Sequence, residues 1–141
     1  MPAPPPSKRV IPRATPETKD YWDGAARGEL RLQRCDGCAH VYFPPRPFCP
    51  KCAQRKVQSF TASGKATLWS YVIHHREVPG FPTPYSIAVV QLAEGPRMMT
   101  NIVNCPQTPE ALVLDMPVEV SFQALSDAVS LPVFQPVGSA K

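Results

Sequence analysis

The sequence predicts a mainly β protein: an N-terminal helix, a rubredoxin-like zinc ribbon and a five-stranded OB-fold barrel. Three observations carry this reading. RCDGCAHVYFPPRPFCPKC, residues 34–52, holds two Cys-x-x-Cys pairs ten residues apart. Proline occurs 19 times in 141 residues and recurs through the chain, which forbids long helices and suits short strands joined by turns. Five β-rich segments follow the cysteines, with one short helical signal between the third and fourth, which is the element order of an OB-fold.

The elements follow in order. Residues 1–14 are Pro-rich and aperiodic and read as a flexible arm. Thr15-Pro16-Glu17 opens a helical segment over 15–29, with a hydroxyl cap, a proline where no amide donor is needed and an acid in the positive first turn. Tyr21, Trp22 and Ala25 give it an apolar stripe, and Gly24 and Gly28 weaken and end it. LRLQRC, 30–35, alternates apolar and polar residues as a strand feeding the first cysteine pair, within a ribbon spanning 30–60.

The barrel is expected over 61–137 and a tail over 138–141. Its strands are ATLWSYVIHH (66–75), SIAVVQLAE (86–94), RMMTNIVNC (97–105), PVEVSFQAL (117–125) and VSLPVFQP (129–136). Ser63-Gly64 opens the first, and Glu94-Gly95-Pro96 makes a tight hairpin. Thr108-Pro109-Glu110 predicts one helical turn through Leu112.

Four thiolates from Cys35, Cys38, Cys49 and Cys52 would saturate a tetrahedral Zn²⁺ and leave no position for water or substrate. Such a metal holds structure and performs no chemistry. Disulfides are the competing use, but MPAPPPSKRVIPRATP has no continuous apolar segment and no small-residue cleavage site, so a reduced cytoplasm is expected. Two pairs, each bracketing a turn, fit metal knuckles better than one redox pair. Cys105 lacks a His or acidic neighbour at ligand spacing and reads as a small apolar filler. The longest apolar run, Ile87 to Ala93, is broken by Gln91 and far too short to span a membrane.

Charge separates the remaining function classes. Residues 1–60 hold 11 Lys or Arg against 5 Asp or Glu, and residues 61–141 hold 4 against 6. Single-strand nucleic-acid binding by an OB-fold needs a cationic groove with stacking aromatics. Trp69, Tyr71, Phe81 and Tyr85 could stack, but over 61–125 only Lys65, Arg76 and Arg97 face five acids, so the barrel would repel phosphates. A nucleic-acid-binding zinc-ribbon and OB-fold protein is therefore the alternative reading. Catalysis would need a nucleophile beside a base, an acid paired with a base, or an open metal site. His74 and His75 are adjacent and point to opposite faces of a strand, and His40 reads as structural.

The chain resembles a family of zinc-ribbon plus OB-fold proteins catalogued as domain of unknown function thirty-five and associated with acyl-CoA metabolism. The matching stretches are the aromatic helix with GELRLQRCDGCAHVYFPPRPFCPKC (28–52), SGKATLWSYVIHH (63–75), MPVEVSF (116–122) and LPVFQP (131–136). The resemblance implies a small subunit in a hetero-oligomer with a thiolase-superfamily protein: a thiolase, a synthase, an acyltransferase, or a lipid-transfer-type aldolase of steroid side-chain degradation. It implies help in binding the partner's acyl-CoA, with the catalytic residues in the larger chain. Because thiolase-like enzymes commonly form dimers, two copies of each chain are expected.

The residues offer candidates for those contacts. The cations Arg27, Arg31, Arg34, Arg46, Lys51, Arg55 and Lys56 surround the helix and ribbon, and two or three converging would suit the phosphates of CoA. Arg46 is preferred, because Pro44, Pro45 and Pro47 stiffen the backbone around it. Tyr42, Phe43 and Phe48 flank it and either cover the metal cluster or wall a pantetheine arm or partner. Tyr21 and Trp22 either pack on their own protein or dock on a partner. Phe81, near the tip of the stiff connection REVPGFPTPY, is an interface anchor or packs back on the barrel mouth.

Overall fold

The computed structural model describes residues 9–138, so the expectations for residues 1–8 of the arm and 139–141 of the tail lie outside it. The elements are α1 Lys19–Ala26, β1 Arg31–Cys35, β2 Val41–Tyr42, β3 Val57–Thr61, β4 Lys65–His74, β5 Tyr85–Leu92, β6 Arg97–Thr100, β7 Pro117–Ala124 and β8 Ser130–Pro136. They form a ribbon sheet, β2-β1-β3, and a five-stranded sheet, β6-β5-β4-β7-β8. All ladder pairs are antiparallel.

The helix begins one turn later than its start signal. The Thr15 N–H donates to Thr18 Oγ1 at 2.8 Å and the Thr18 N–H to the Thr15 carbonyl at 3.0 Å, so Thr15 closes a separate turn. Thr18 is then the N-cap, without a side-chain cap, because its hydroxyl is spent on that turn. At the far end the Glu29 N–H reaches the Gly24 carbonyl at 2.8 Å and the Gly28 N–H that of Ala25 at 3.1 Å. This is a Schellman end, and it requires the left-handed φ of +84° that Gly28 adopts.

The five expected barrel strands are all present. β5 shows the period-2 signature most clearly, with Ser86, Ala88, Val90 and Leu92 buried and the residues between them partly exposed. The third strand is shorter than its β-rich segment, ending at Thr100. There the Asn101 side-chain amide turns back to the Ser86 carbonyl at 2.6 Å, and the backbone leaves β5 for β8. Ile102 pairs with Phe134 in parallel, the Phe134 N–H donating to the Asn101 carbonyl at 3.0 Å and the Val103 N–H to that of Phe134 at 2.8 Å. These bonds curl the sheet toward closure, so that each strand has the neighbours of an OB-fold. The helical turn between the third and fourth barrel strands is also present: the Leu112 N–H bonds the Thr108 carbonyl at 3.0 Å, and Leu112 is buried.

One apolar core runs through ribbon and barrel alike. Tyr21 of α1 and Leu30 and Leu32 of the β1 segment join Leu68, Val90, Ile102, Val118 and Phe134 in a single cluster. α1 packs against β1, β7 and β8. The join is fixed by the Ala62 N–H on the Leu30 carbonyl at 2.8 Å, and by Arg31, whose Nε meets Asp20 at 3.0 Å while its Nη1 meets Thr61 at 2.9 Å.

Two glycines test this arrangement. At Gly64, φ is +80° and an added Cβ would come 2.6 Å from Val120 Cγ1, whereas at Gly28 it would meet nothing within 4 Å. Gly28→Ala is expected to cost about 1 kcal/mol, the backbone term alone. Gly64→Ala should cost roughly 2–3 kcal/mol, because a contact at the ribbon–barrel junction adds to the same term. Urea unfolding of both variants measures the order, and equal losses would show that Val120 simply moves aside.

Candidate metal centre and its surroundings

Two equivalent knuckles carry the cysteines. In the first, the Ala39 N–H bonds the Cys35 carbonyl at 3.0 Å and the Cys35 N–H the His40 carbonyl at 3.0 Å. The second repeats both bonds fourteen residues on, with Ala53 on Cys49 at 2.9 Å and Cys49 on Gln54 at 2.8 Å. Ala39 and Ala53 take positive φ, 63° and 66°, which turns each chain back after its second cysteine. Backbone donors also point at the sulfurs: Gly37 N–H to Cys35 Sγ at 3.3 Å, and Lys51 N–H to Cys49 Sγ at 3.3 Å.

The four Sγ atoms lie within 4.8 Å of one another, with Cys35 to Cys52 at 3.5 Å and Cys38 to Cys49 at 3.6 Å. A disulfide would need about 2.05 Å, so none of the four is paired. Zinc–sulfur bonds of about 2.3 Å in a tetrahedron put sulfurs roughly 3.8 Å apart, and the cluster fits that spacing. The thiols ionise unequally, neighbouring sulfurs favouring a thiolate at Cys49 and opposing one at Cys52. At Cys52 the Gln54 N–H pulls the thiol down, but desolvation and the neighbouring cysteine sulfurs outweigh it and push it up to about 12. At Cys49 desolvation is outweighed by the N–H groups of Cys52 and Lys51 together with hydrogen bonds from the Cys38 and Cys52 thiols, which bring the thiol down to about 7. A cation at the centre is what lets all four ionise together. Cys35, Cys38, Cys49 and Cys52 are the one metal-capable group found among the described residues.

Around this cluster the cations divide into two sets. Arg27 pairs with Glu29 and Arg31 with Asp20, and the Arg34 guanidinium lies 5.3 Å from the Phe60 ring centre. Arg46, Lys51, Arg55 and Lys56 remain exposed without an ion-pair partner among the described residues. Arg46 is pinned through its backbone: its N–H donates to Gln33 Oε1 at 2.8 Å and its carbonyl accepts from the Tyr42 hydroxyl at 3.3 Å. Burial, with Cys49 and Cys35 nearby, pushes the Tyr42 phenol above its ordinary range, which keeps it a donor. The Arg46 side chain is thus free to act while its main chain is held.

The aromatic candidates separate in the same way. Tyr21 is buried, and its ring contacts Trp22 at 4.9 Å and Phe43 at 5.2 Å, so these three form one packed group. Burial pushes the Tyr21 phenol well above its usual range. Phe48 is 40% exposed beside Cys49. Phe81 belongs to another region, stacked on Tyr85 at 4.9 Å and capped by the Arg9 guanidinium at 4.0 Å. Arg9 reaches across to the Gly80 carbonyl and Gln123 Oε1, both at 2.8 Å, and so fastens this loop to β7. His74 is half-buried beside Tyr85 and His75 exposed, and neither hydrogen-bonds a nucleophile or carboxylate among the described residues.

Sequence reasoning missed the alanines that complete the knuckles and the Gln33 amide that holds Arg46. The first has a legible signal, since Cys-x-x-Cys-Ala occurs twice, as CDGCA and CPKCA. The second has none, because it depends on how β1 faces the proline loop. No helix among the described residues is long and apolar enough to cross a membrane.

Comparison with known proteins places this arrangement. Residues 22–58 match the family described as ChsH2, rubredoxin-like zinc ribbon domain, and residues 60–123 that described as ChsH2, C-terminal OB-fold domain. A probable enoyl-CoA hydratase alpha subunit of Thermomonospora curvata is 32% identical over 94% of this chain, which spans only 41% of that relative. A DUF35 domain-containing scaffold protein of Methanocaldococcus jannaschii is 36% identical over 67% of each chain. The solved structure named Ltp2-ChsH2(DUF35) aldolase superposes with a TM-score of 0.80 at 32% identity, covering 89% of this chain and 98% of that one. The chain belongs to the ChsH2/DUF35 family of zinc-ribbon and OB-fold proteins.

Proposed function

We propose that this chain is a non-catalytic, cytoplasmic subunit that assembles with a thiolase-superfamily enzyme or aldolase and helps hold its acyl-CoA substrate. The observation that carries the reading is the pairing of a four-sulfur site with no open position and a pinned, exposed arginine beside it. Cys35, Cys38, Cys49 and Cys52 would hold Zn²⁺, which supplies rigidity and no reactive water. Arg46 offers a guanidinium to a CoA phosphate, with Lys51, Arg55 and Lys56 in the same stretch adding positive potential. Phe48 gives an exposed apolar wall, and the packed group of Phe43, Tyr21 and Trp22 fixes the helix against the proline loop. Phe81, covered by Tyr85 and Arg9, packs within its own loop and leaves the contacts to the ribbon.

The names of the relatives support a subunit role, since one is named a probable hydratase alpha subunit, one a scaffold protein and one an Ltp2-ChsH2(DUF35) aldolase. Two copies of each chain suit a dimeric enzyme partner. The nucleic-acid alternative loses support, because Phe81 is covered by Tyr85 and Arg9, and one face of Trp69 is occupied by Arg97 at 3.7 Å.

Co-expression of the chain with thiolase-superfamily proteins, followed by size exclusion and thioester assays, tests the proposal. A stable complex is expected, with turnover belonging to the partner. Turnover of a thioester by this chain alone would refute it, and so would salt-sensitive oligonucleotide binding with no complex.

Two further outcomes follow. Arg46→Ala should weaken acyl-CoA binding about tenfold in calorimetry, the scale of one charge-assisted contact. It should leave the unfolding midpoint unchanged, because the bonds holding the loop come from the backbone of Arg46; equal affinity would remove Arg46 from the site. The purified chain should also carry one tetrahedral metal, read as one zinc by elemental analysis or as thiolate-bound Co²⁺ by visible absorption. Chelation should then melt the ribbon's circular-dichroism signal. An exchangeable water on the metal would contradict the closed site.

A further inference from the structure

The outer surface of β4, β5 and β6 has the make-up of a protein–protein interface, and it lies on strands far from the cysteine cluster in sequence. Register places its residues side by side: Val72 opposite Ile87, Ser70 opposite Val89, and Val89 opposite Met99. Met99 is 72% exposed, Val72 59% and Trp69 47%, while Ala66, Leu68, Ala88, Val90 and Met98 face the core. Isolated exposed apolar residues need no explanation, but a run across three neighbouring strands does.

Local structure creates this surface. The β4–β5 register shifts between Leu68 and Ser70, so β4 bulges at Trp69. The extra residue changes the phase of the strand, sending Tyr71 to the core and leaving Trp69, Ser70 and Val72 outside. Arg97 then lies over the Trp69 ring at 3.7 Å and is held there by Gln91 Oε1 at 2.8 Å. Trp, Arg and Met are the residue types enriched at interface centres, and these are held in place before any partner arrives. Val113 and Leu114 extend the apolar margin, their loop tied to β4 by the Asp115 N–H on the Leu68 carbonyl at 2.8 Å.

We infer that this face is the docking surface for the larger enzyme subunit; the inference rests on the partner-subunit reading above. Charge favours a different chain over a second copy. Arg97 is the charge at the centre of the face, with no carboxylate on β4, β5 or β6, whereas Lys65 at the edge lies opposite Glu119 of β7 and Asp115 sits in the margin loop. An isologous pair about that centre would set two Arg97 side chains together. The complementary surface is apolar with a carboxylate opposite Arg97. The solved aldolase, whose matching chain this one covers to 98%, is named for two proteins, in keeping with a second polypeptide as the occupant.

The test uses the thiolase-superfamily subunit that co-elutes with the wild-type chain. Met99→Glu and Val72→Glu should each weaken that complex tenfold or more, and Val137→Glu, on an exposed apolar residue elsewhere, should leave it within twofold. Hydroxyl-radical footprinting should show Met99 and Trp69 protected in the wild-type complex. Unchanged affinity for both face variants, or undiminished oxidation of Met99 in the complex, would overturn the inference and leave the subunit reading standing. A Met99-dependent dimer of the chain alone would also overturn it, assigning the face to a second copy. Failure of every candidate subunit to co-elute would remove the subunit reading, and this inference with it.

Discussion

Four sulfurs held within 4.8 Å are the constraint from which the front of this protein is built. The ribbon sheet has strands of five, two and five residues, too little apolar surface to order themselves against the entropy of the chain. Without a cation the cysteines ionise unequally, as the opposed shifts of Cys49 and Cys52 show. Bound to a cation they become a crosslink between two knuckles, and the proline-rich loop between them is carried along. Four thiolates that closed on a Zn²⁺ would stiffen the ribbon and leave no position for substrate on the metal, so both effects would have one cause.

Rigidity at the cluster reaches the barrel through β1. Cys35 ends that strand, and Leu30, just before its start, and Leu32, its second residue, lie in the core shared with Leu68 and Phe134. Tyr21 and Phe43 touch across the same junction, one from the helix and one from the loop that carries Arg46. The ribbon is therefore no pendant module. It forms one wall of a continuous apolar interior, and what fixes the sulfurs also fixes the backbone around Arg46.

The sequence made the architecture legible because the signals were local. Cysteine spacing, alternation in β5 and the Glu94-Gly95-Pro96 hairpin each act over a few residues. The third strand was overread because RMMTNIVNC is β-rich throughout, while its end is set by the Asn101 amide on Ser86 and by the parallel pairing of Ile102 with Phe134, both outside the segment itself. The helix start was misplaced by one turn because Thr15 and Thr18 compete for the same hydrogen bonds. At the site, the four ligands could be read directly, but the side chains around them could not. Whether an aromatic is buried like Tyr21 or exposed like Phe48 is decided by packing between elements, which no short window of sequence contains.

The bulge at Trp69 shows how one inserted position can change a strand's outer surface without altering the fold. Strict alternation from Leu68 would turn Ser70 inward and Tyr71 to solvent, a poor choice for core and surface alike. With the extra residue, Tyr71 packs inside and Trp69 emerges beneath Arg97, so β4 satisfies the barrel interior on one side and offers a prepared aromatic–cation pair on the other. The barrel can then present a surface without exposing its backbone, and the ribbon can present a charge without opening its metal. On the proposed reading, recognition would rest on two rigid exteriors, with the metal-capable cluster found among the described residues kept apart from them.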